Sequence, residues 1–247
     1  MQKETFIKQY AAGLNPQQLA AVQAVHGPVL LLAVPGSGKT TVLVTRLGYM
    51  VLCCDVPPAQ ILTMTYTVAA THEMRGRFAA RFGAELAGQM TFRTINGLSA
   101  VILQYYSRVY GRRQPELLTN EGDITRMLTD IWQQVNREFP TESTLKELRT
   151  AITYIKNMAL ADEEIEGLET DLANLPELYR RYQAALKRAG QMDYDDQMVF
   201  ALQILRAAPP VLAYFQQRYK YFCVDESQDT SKIQHEIIRL LAGRSLN

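Results

Sequence analysis

Apolar positions along the chain change their period twice. Between residues 28 and 94, short continuous apolar runs alternate with helical spacing. Pro28-Val29-Leu30-Leu31-Leu32-Ala33, Ile61-Leu62-Thr63-Met64-Thr65-Tyr66 and Met90-Thr91-Phe92 have the length and residue types of buried strands. Thr41 to Cys53 and Ala69 to Phe82 carry the helical period between them. Upstream, Asn15-Pro16-Gln17-Gln18 predicts a helix start, with Asn15 as N-cap, Pro16 at the first turn and Gln18 closing a capping box. From about Ser99 to Gly190 strand signals vanish, and helices are predicted over 123–137, 144–158 with a Thr144/Glu147 box, and 176–189. Asp193 then caps a helix to Leu205, Pro209-Pro210 opens another, Tyr221-Phe222-Cys223-Val224 returns as a buried strand, and a last helix runs to Leu241.

Strands alternating with helices predict an α/β fold with a parallel sheet. A helical stretch of roughly ninety residues is far too long for one βα connection. The reading is therefore a core domain over 1–98 and 191–247, interrupted by an all-helical insertion over 99–190.

The formal net charge of +1 conceals an asymmetry. Residues 1–120 hold 11 Lys/Arg against 5 Asp/Glu, and residues 121–247 hold 15 against 20. A basic first half suits a polyanionic partner. Cys53, Cys54 and Cys223 form no C-x-x-C pair and are odd in number, which argues against a disulfide framework or zinc site and fits a reducing cytoplasm. No apolar stretch approaches the roughly 18 residues of a membrane span.

The chemistry concentrates in two places. Ala33-Val34-Pro35-Gly36-Ser37-Gly38-Lys39-Thr40 matches the A-x-x-x-x-G-K-T form of a phosphate-binding P-loop. Glycines let successive backbone N–H groups point inward as an anion nest, and the helix that follows adds its positive end. Side-chain bulk at Gly36 or Gly38 is expected to block that approach. Lys39 is placed to reach the β- and γ-phosphates, and the Thr40 hydroxyl to ligate Mg²⁺. The second place is Asp225-Glu226-Ser227-Gln228-Asp229-Thr230, directly after an apolar strand, where ligands of open α/β sheets gather. Asp225 is expected to hold the Mg²⁺ hydration shell, Glu226 to position or deprotonate an attacking water, and Gln228 to sense the γ-phosphate.

The ordered blocks N-P-Q-Q, A-x-P-G-S-G-K-T-T, T-Y-T-x-A-A-x-x-E-M, T-F-R-T, D-Y-D-D and D-E-S-Q-D-T resemble those of UvrD/Rep/PcrA-type superfamily-one DNA helicases, over Leu14 to Gly243. The resemblance implies a RecA-like P-loop NTPase core, ATP and Mg²⁺ as ligands, and a parent protein that moves on single-stranded DNA and opens single/double-strand junctions. It makes Gln18 the adenine reader, sets Thr41 beside the base, and assigns DNA contacts to Thr65, Tyr66, Thr91 and Arg93, with Tyr66 stacking on a base. Departures are Val68-Ala69 where Asn-Lys is common, Thr41 where arginine is common, and Arg93 where histidine is common. The family's next strand, its second RecA-like domain and its arginine finger would follow Asn247. The chain is therefore expected to be an N-terminal piece without helicase activity of its own. The alternative is a nucleotide-dependent switch whose helical insertion binds protein; a small-molecule kinase fits the acidic turn and the insertion poorly.

Overall fold

The computed structural model of the protein describes residues 1–34 and 36–243. Among them are five strands: β1 (Ile61–Thr65), β2 (Thr91–Thr94), β3 (Glu116–Leu117), β4 (Gln191–Met192) and β5 (Tyr221–Val224). β1 is the centre of a three-stranded parallel sheet of order β2-β1-β5, and β3 and β4 make a separate short parallel ladder. The chain divides into two compact units, one of Met1–Leu98, Pro209–Thr230 and the chain from Ile238, the other of Ser99–Ala208 and Ser231–Ile237.

In the first unit every residue of β1 is buried, as a strand with parallel neighbours on both sides and helices over its faces requires. The helix Lys39–Cys53 buries Val42, Val44, Leu47, Tyr49 and Met50, and the helix Val68–Phe82 buries Met74 and Phe78. Phe6, Tyr10, Phe78 and Phe82 form a ring cluster with centroids 4.9–6.1 Å apart. Gly48 admits that cluster, because a Cβ there would lie 2.2 Å from the Phe82 ring.

The expected strand at 28–33 does not form. The segment makes no ladder with any described residue, and Leu30, Leu32 and Val34 are 74%, 83% and 71% exposed. An apolar run becomes a strand only where neighbours accept its N–H and C=O groups and cover its side chains. β1 has two such neighbours, and 28–33 has none among the described residues.

The second unit is built on the helices Glu121–Asn136, Glu142–Asn157, Leu175–Ala189 and Tyr194–Ala207. Leu128, Leu148, Ile155, Leu178 and Leu186 fill its core. The helix expected from Thr144 starts earlier, at Thr141, whose hydroxyl caps the Thr144 amide at 3.1 Å. This unit also extends to Ala208 instead of ending at 190. The reason lies in the D-Y-D-D block. Lys156, buried on the helix Glu142–Asn157, bonds Asp193 at 2.6 Å and Asp196 at 2.7 Å, while Thr153 and Asn157 bond Asp195 at 2.9 and 2.8 Å. Tyr182 adds a hydroxyl on Asp193 at 3.1 Å. These bonds fasten Tyr194–Ala207 to the helical unit. Among the described residues no single helix is long and apolar enough to cross a membrane.

Candidate functional site

A parallel sheet gathers the C-terminal ends of its strands along one edge. β1 ends there at Thr65-Tyr66, β2 at Thr94, and β5 runs through Val224 into Asp225-Glu226. The Asp225 amide still bonds the Met64 carbonyl at 2.9 Å, so the first carboxylate leaves directly from the ladder.

Opposite this turn stands the glycine loop. Gly36 and Gly38 have φ of 78° and 85°, a region that favours glycine, and Gly38 is the N-cap of the helix Lys39–Cys53. A Cβ on Gly36 would meet nothing within 4 Å, and one on Gly38 only the Gln18 amide at 3.7 Å. In this structure the glycines are thus required by backbone conformation and not by crowding. Gly38 offers the first turn no capping side chain, and a helix start of this kind can give its backbone donors to solvent or to an anion. Pro35 lies outside the described residues; Ala33 and Val34 are exposed, and Ser37 turns its amide and hydroxyl onto the Val34 carbonyl at 3.2 and 2.6 Å.

Lys39 crosses to the acidic turn. Its Nζ donates to both carboxylate oxygens of Glu226, at 3.0 and 2.9 Å. Gln228 Nε2 donates to Glu226 at 2.6 Å and to Asp229 at 3.3 Å, closing a chain of four polar side chains. The bond from Gln228, then that from Lys39, holds the Glu226 carboxyl below its usual range, and the pairing raises Lys39. Burial, and next the Glu226 charge, pushes Asp225 up. Glu226 also sits at φ 51°, ψ 46°, a left-handed conformation that costs a non-glycine residue roughly 1–2 kcal/mol. Such strain persists only where surrounding bonds enforce it.

Gln18 is held at both ends. Its side-chain oxygen accepts from the Asn15 amide at 3.0 Å, its own amide donates to Asn15 Oδ1 at 2.8 Å, and its Nε2 donates to the Ser37 carbonyl at 2.9 Å. The expected capping box is present, and the same side chain grips the glycine loop. Thr40 is half-buried in the first turn of the helix. Thr41 is exposed beside Val44, Arg77 and Arg81 in a surface depression.

The residues expected to meet DNA separate. Tyr66 is 60% exposed at the end of β1, and Arg93 is exposed on β2. The Thr65 hydroxyl is taken internally by the Thr67 carbonyl at 3.0 Å and Thr71 Oγ1 at 2.5 Å. Thr91 pairs in register with Leu62, about 10 Å along the strand from the Thr94 end. Phe92 packs against Phe78 in the core. Sequence reasoning passed over Arg46, although a single charge within the apolar run 41–53 was a usable signal. It also passed over Lys156, whose partners lie 37 or more residues away.

Comparison with known proteins follows the same lines. The family described as UvrD/REP helicase N-terminal domain matches residues 14–247. The chain is 33% identical over 241 residues to the ATP-dependent DNA helicase PcrA of Leuconostoc citreum, covering 95% of this chain and 32% of the relative. It is 32% identical over 237 residues to the ATP-dependent DNA helicase UvrD1 of Mycobacterium leprae (strain TN), covering 94% and 30%. The chain thus spans about a third of the length of these relatives. The order of the motifs, a parallel sheet carrying the acidic turn, and a match over residues 14–247 lead to one assignment: this chain belongs to the UvrD/REP helicase N-terminal domain family.

Proposed function

We propose that this chain is the ATP-binding portion of an ATP-dependent DNA helicase or translocase that moves on single-stranded DNA and opens single/double-strand junctions. The observation that carries the reading is the Lys39–Glu226 contact, which joins the glycine loop to the acidic turn across 187 residues of sequence. A lysine that bonds a carboxylate through both oxygens is positioned to exchange that partner for a phosphate.

ATP would lie with its phosphates over Gly36, Ser37, Gly38 and Lys39, against the uncapped helix end. The Thr40 hydroxyl and the Asp225 carboxylate would hold Mg²⁺, and the described residues contain no cluster of three or more His, Cys, Asp or Glu side chains. A site with few protein oxygens suits Mg²⁺, which keeps several waters and takes phosphate oxygens as ligands. When bound, the ion neutralises phosphate charge. As Lys39 turns to phosphate, Glu226 is released to orient and deprotonate a water, and Gln228 is freed with it. Gln18 retains one N–H and one lone pair after its internal bonds, the pair of groups that matches the N7 and N6 edge of adenine. Its bonds to Asn15 and Ser37 fix which way the amide faces.

Tyr66 and Arg93 would meet the DNA strand, Tyr66 by stacking on a base and Arg93 through phosphate. Three free cysteines suit a reducing cytoplasm. We expect this chain alone to bind nucleotide without unwinding DNA. In the whole protein that contains it, single-stranded DNA should accelerate ATP hydrolysis, and Lys39→Ala should abolish that acceleration. Unchanged DNA-stimulated turnover in the variant would remove Lys39 from the site.

A further inference from the structure

Arg46 is the only charged residue between Thr41 and Cys53, and it stands seven residues, or about 10 Å of helix, beyond Lys39. Half-buried, it reaches one other element through its guanidinium. Nη1 donates to the Ala21 carbonyl at 2.7 Å and to the Ala24 carbonyl, which lie at the C-terminal end of the helix Pro16–Gln23. Those are carbonyls that a helix leaves without internal partners, and a cation there also complements the helix dipole. One side chain therefore joins the helix that bears Gln18 to the helix that starts at the glycine loop.

The helix Pro16–Gln23 is short and has two attachments to the site. Near its start, Gln18 bonds the Ser37 carbonyl; at its end, Arg46 holds Ala21 and Ala24. Removing the second attachment leaves the helix with the Gln18 bond and the packing of its buried Val22. The phosphate-facing groups would then stay in place, because Gly36, Gly38 and Lys39 belong to the loop and to the helix that Arg46 itself lies on. Only the position of Gln18 over the loop would relax.

We infer that Arg46 is a positioning residue of the nucleotide site: by holding the last-turn carbonyls of Pro16–Gln23, it sets where Gln18 stands against the glycine loop and so how tightly a purine base is gripped. This rests on the base-reading role proposed above for Gln18. The guanidinium suits the task because its rigid planar head loses less freedom per hydrogen bond than a flexible ammonium.

The test compares two Mg²⁺-bound probes, ATP and inorganic tripolyphosphate, by calorimetry on this chain. Tripolyphosphate has no base, so its affinity reports the loop alone and also certifies that the variant is folded. Arg46→Met should weaken ATP roughly fivefold, the worth of about one hydrogen bond, and leave tripolyphosphate unchanged. Equal weakening of both probes, or of neither, overturns the inference. If Arg46→Met no longer binds tripolyphosphate, Arg46→Lys decides: a lower ATP-to-tripolyphosphate affinity ratio supports it, and the wild-type ratio overturns it. Gln18→Ala separates the two readings. Should Gln18→Ala leave the ratio unchanged, base reading by Gln18 fails on its own. Should it lower the ratio, adding Arg46→Met must lower it no further, since both act through one side chain; an additive loss means Arg46 acts elsewhere.

Discussion

Among the described residues two lysines meet carboxylates, and their surroundings differ in kind. Lys39 and Glu226 are 29% and 38% exposed, bond at 2.9 Å, and sit on a turn whose backbone is strained. Lys156 is 1% exposed, bonds Asp193 and Asp196 at 2.6 and 2.7 Å, and lies against the Tyr182 ring. A solvated pair contributes little to stability and can be exchanged at little cost. A buried one cannot be broken without leaving an uncompensated charge in the interior. Under the proposed function the same chemical contact serves as a movable part in one unit and as a fastening in the other.

The largest expected effect falls on the buried pair. Lys156→Met should cost about 3–5 kcal/mol of unfolding free energy, read from urea denaturation, whereas Lys39→Met should leave the urea midpoint nearly unchanged. Equal costs would erase the distinction. Next in size is catalysis at the exposed pair. Glu226→Gln should retain Mg·ATP binding while slowing hydrolysis by about a hundredfold or more; loss of binding would instead make Glu226 a structural or metal-site residue.

Smaller again is the DNA contact at the same sheet edge. Tyr66→Ala should weaken single-stranded DNA binding by the whole protein by about 1–3 kcal/mol, and Thr65→Val should act through the turn it braces and leave the salt dependence alone. A Tyr66 variant that binds DNA as wild type would take the ring out of the interface. The smallest effect is the response to pH, and its sign differs between Glu226 and the buried carboxyls Asp195 and Asp196. Glu226 is held below its usual range, so its contribution is present above the ordinary glutamate value and is lost as pH falls through the depressed one. Burial first of all pushes Asp195 and Asp196 up, so their contribution shrinks as pH rises from the ordinary aspartate range through the raised values. Carboxyl titrations followed by NMR should show the two shifts in opposite directions.

Much of the architecture was legible where local signals and tertiary context agree. The Asn15 capping box, the helices on either side of β1, and the return of a strand at Tyr221 follow from spacing and turn chemistry. The segment 28–33 was misread because its composition describes a strand while the structure supplies no neighbour to pair with it. Thr144 lost its role as a helix start to Thr141, a boundary shift within one turn. The extent of the helical unit was hidden for a different reason: Asp193, Asp195 and Asp196 look like a capping turn, and the buried lysine that claims two of them is remote in sequence. At the candidate site, residue types marked Lys39 and Glu226 individually. Their direct bond, the double engagement of Gln18 and the reach of Arg46 depend on how three elements pack, which no local pattern records.

The central claim is that Lys39 leaves Glu226 for phosphate. Calorimetric titration of Mg·ATP into this chain and into its Lys39→Ala variant tests it most directly, with urea midpoints showing that both are folded. The account predicts that the variant loses about tenfold or more in affinity, as expected when a charge-assisted phosphate contact worth about 1.5–3 kcal/mol is removed. An equal dissociation constant for the two proteins would contradict it.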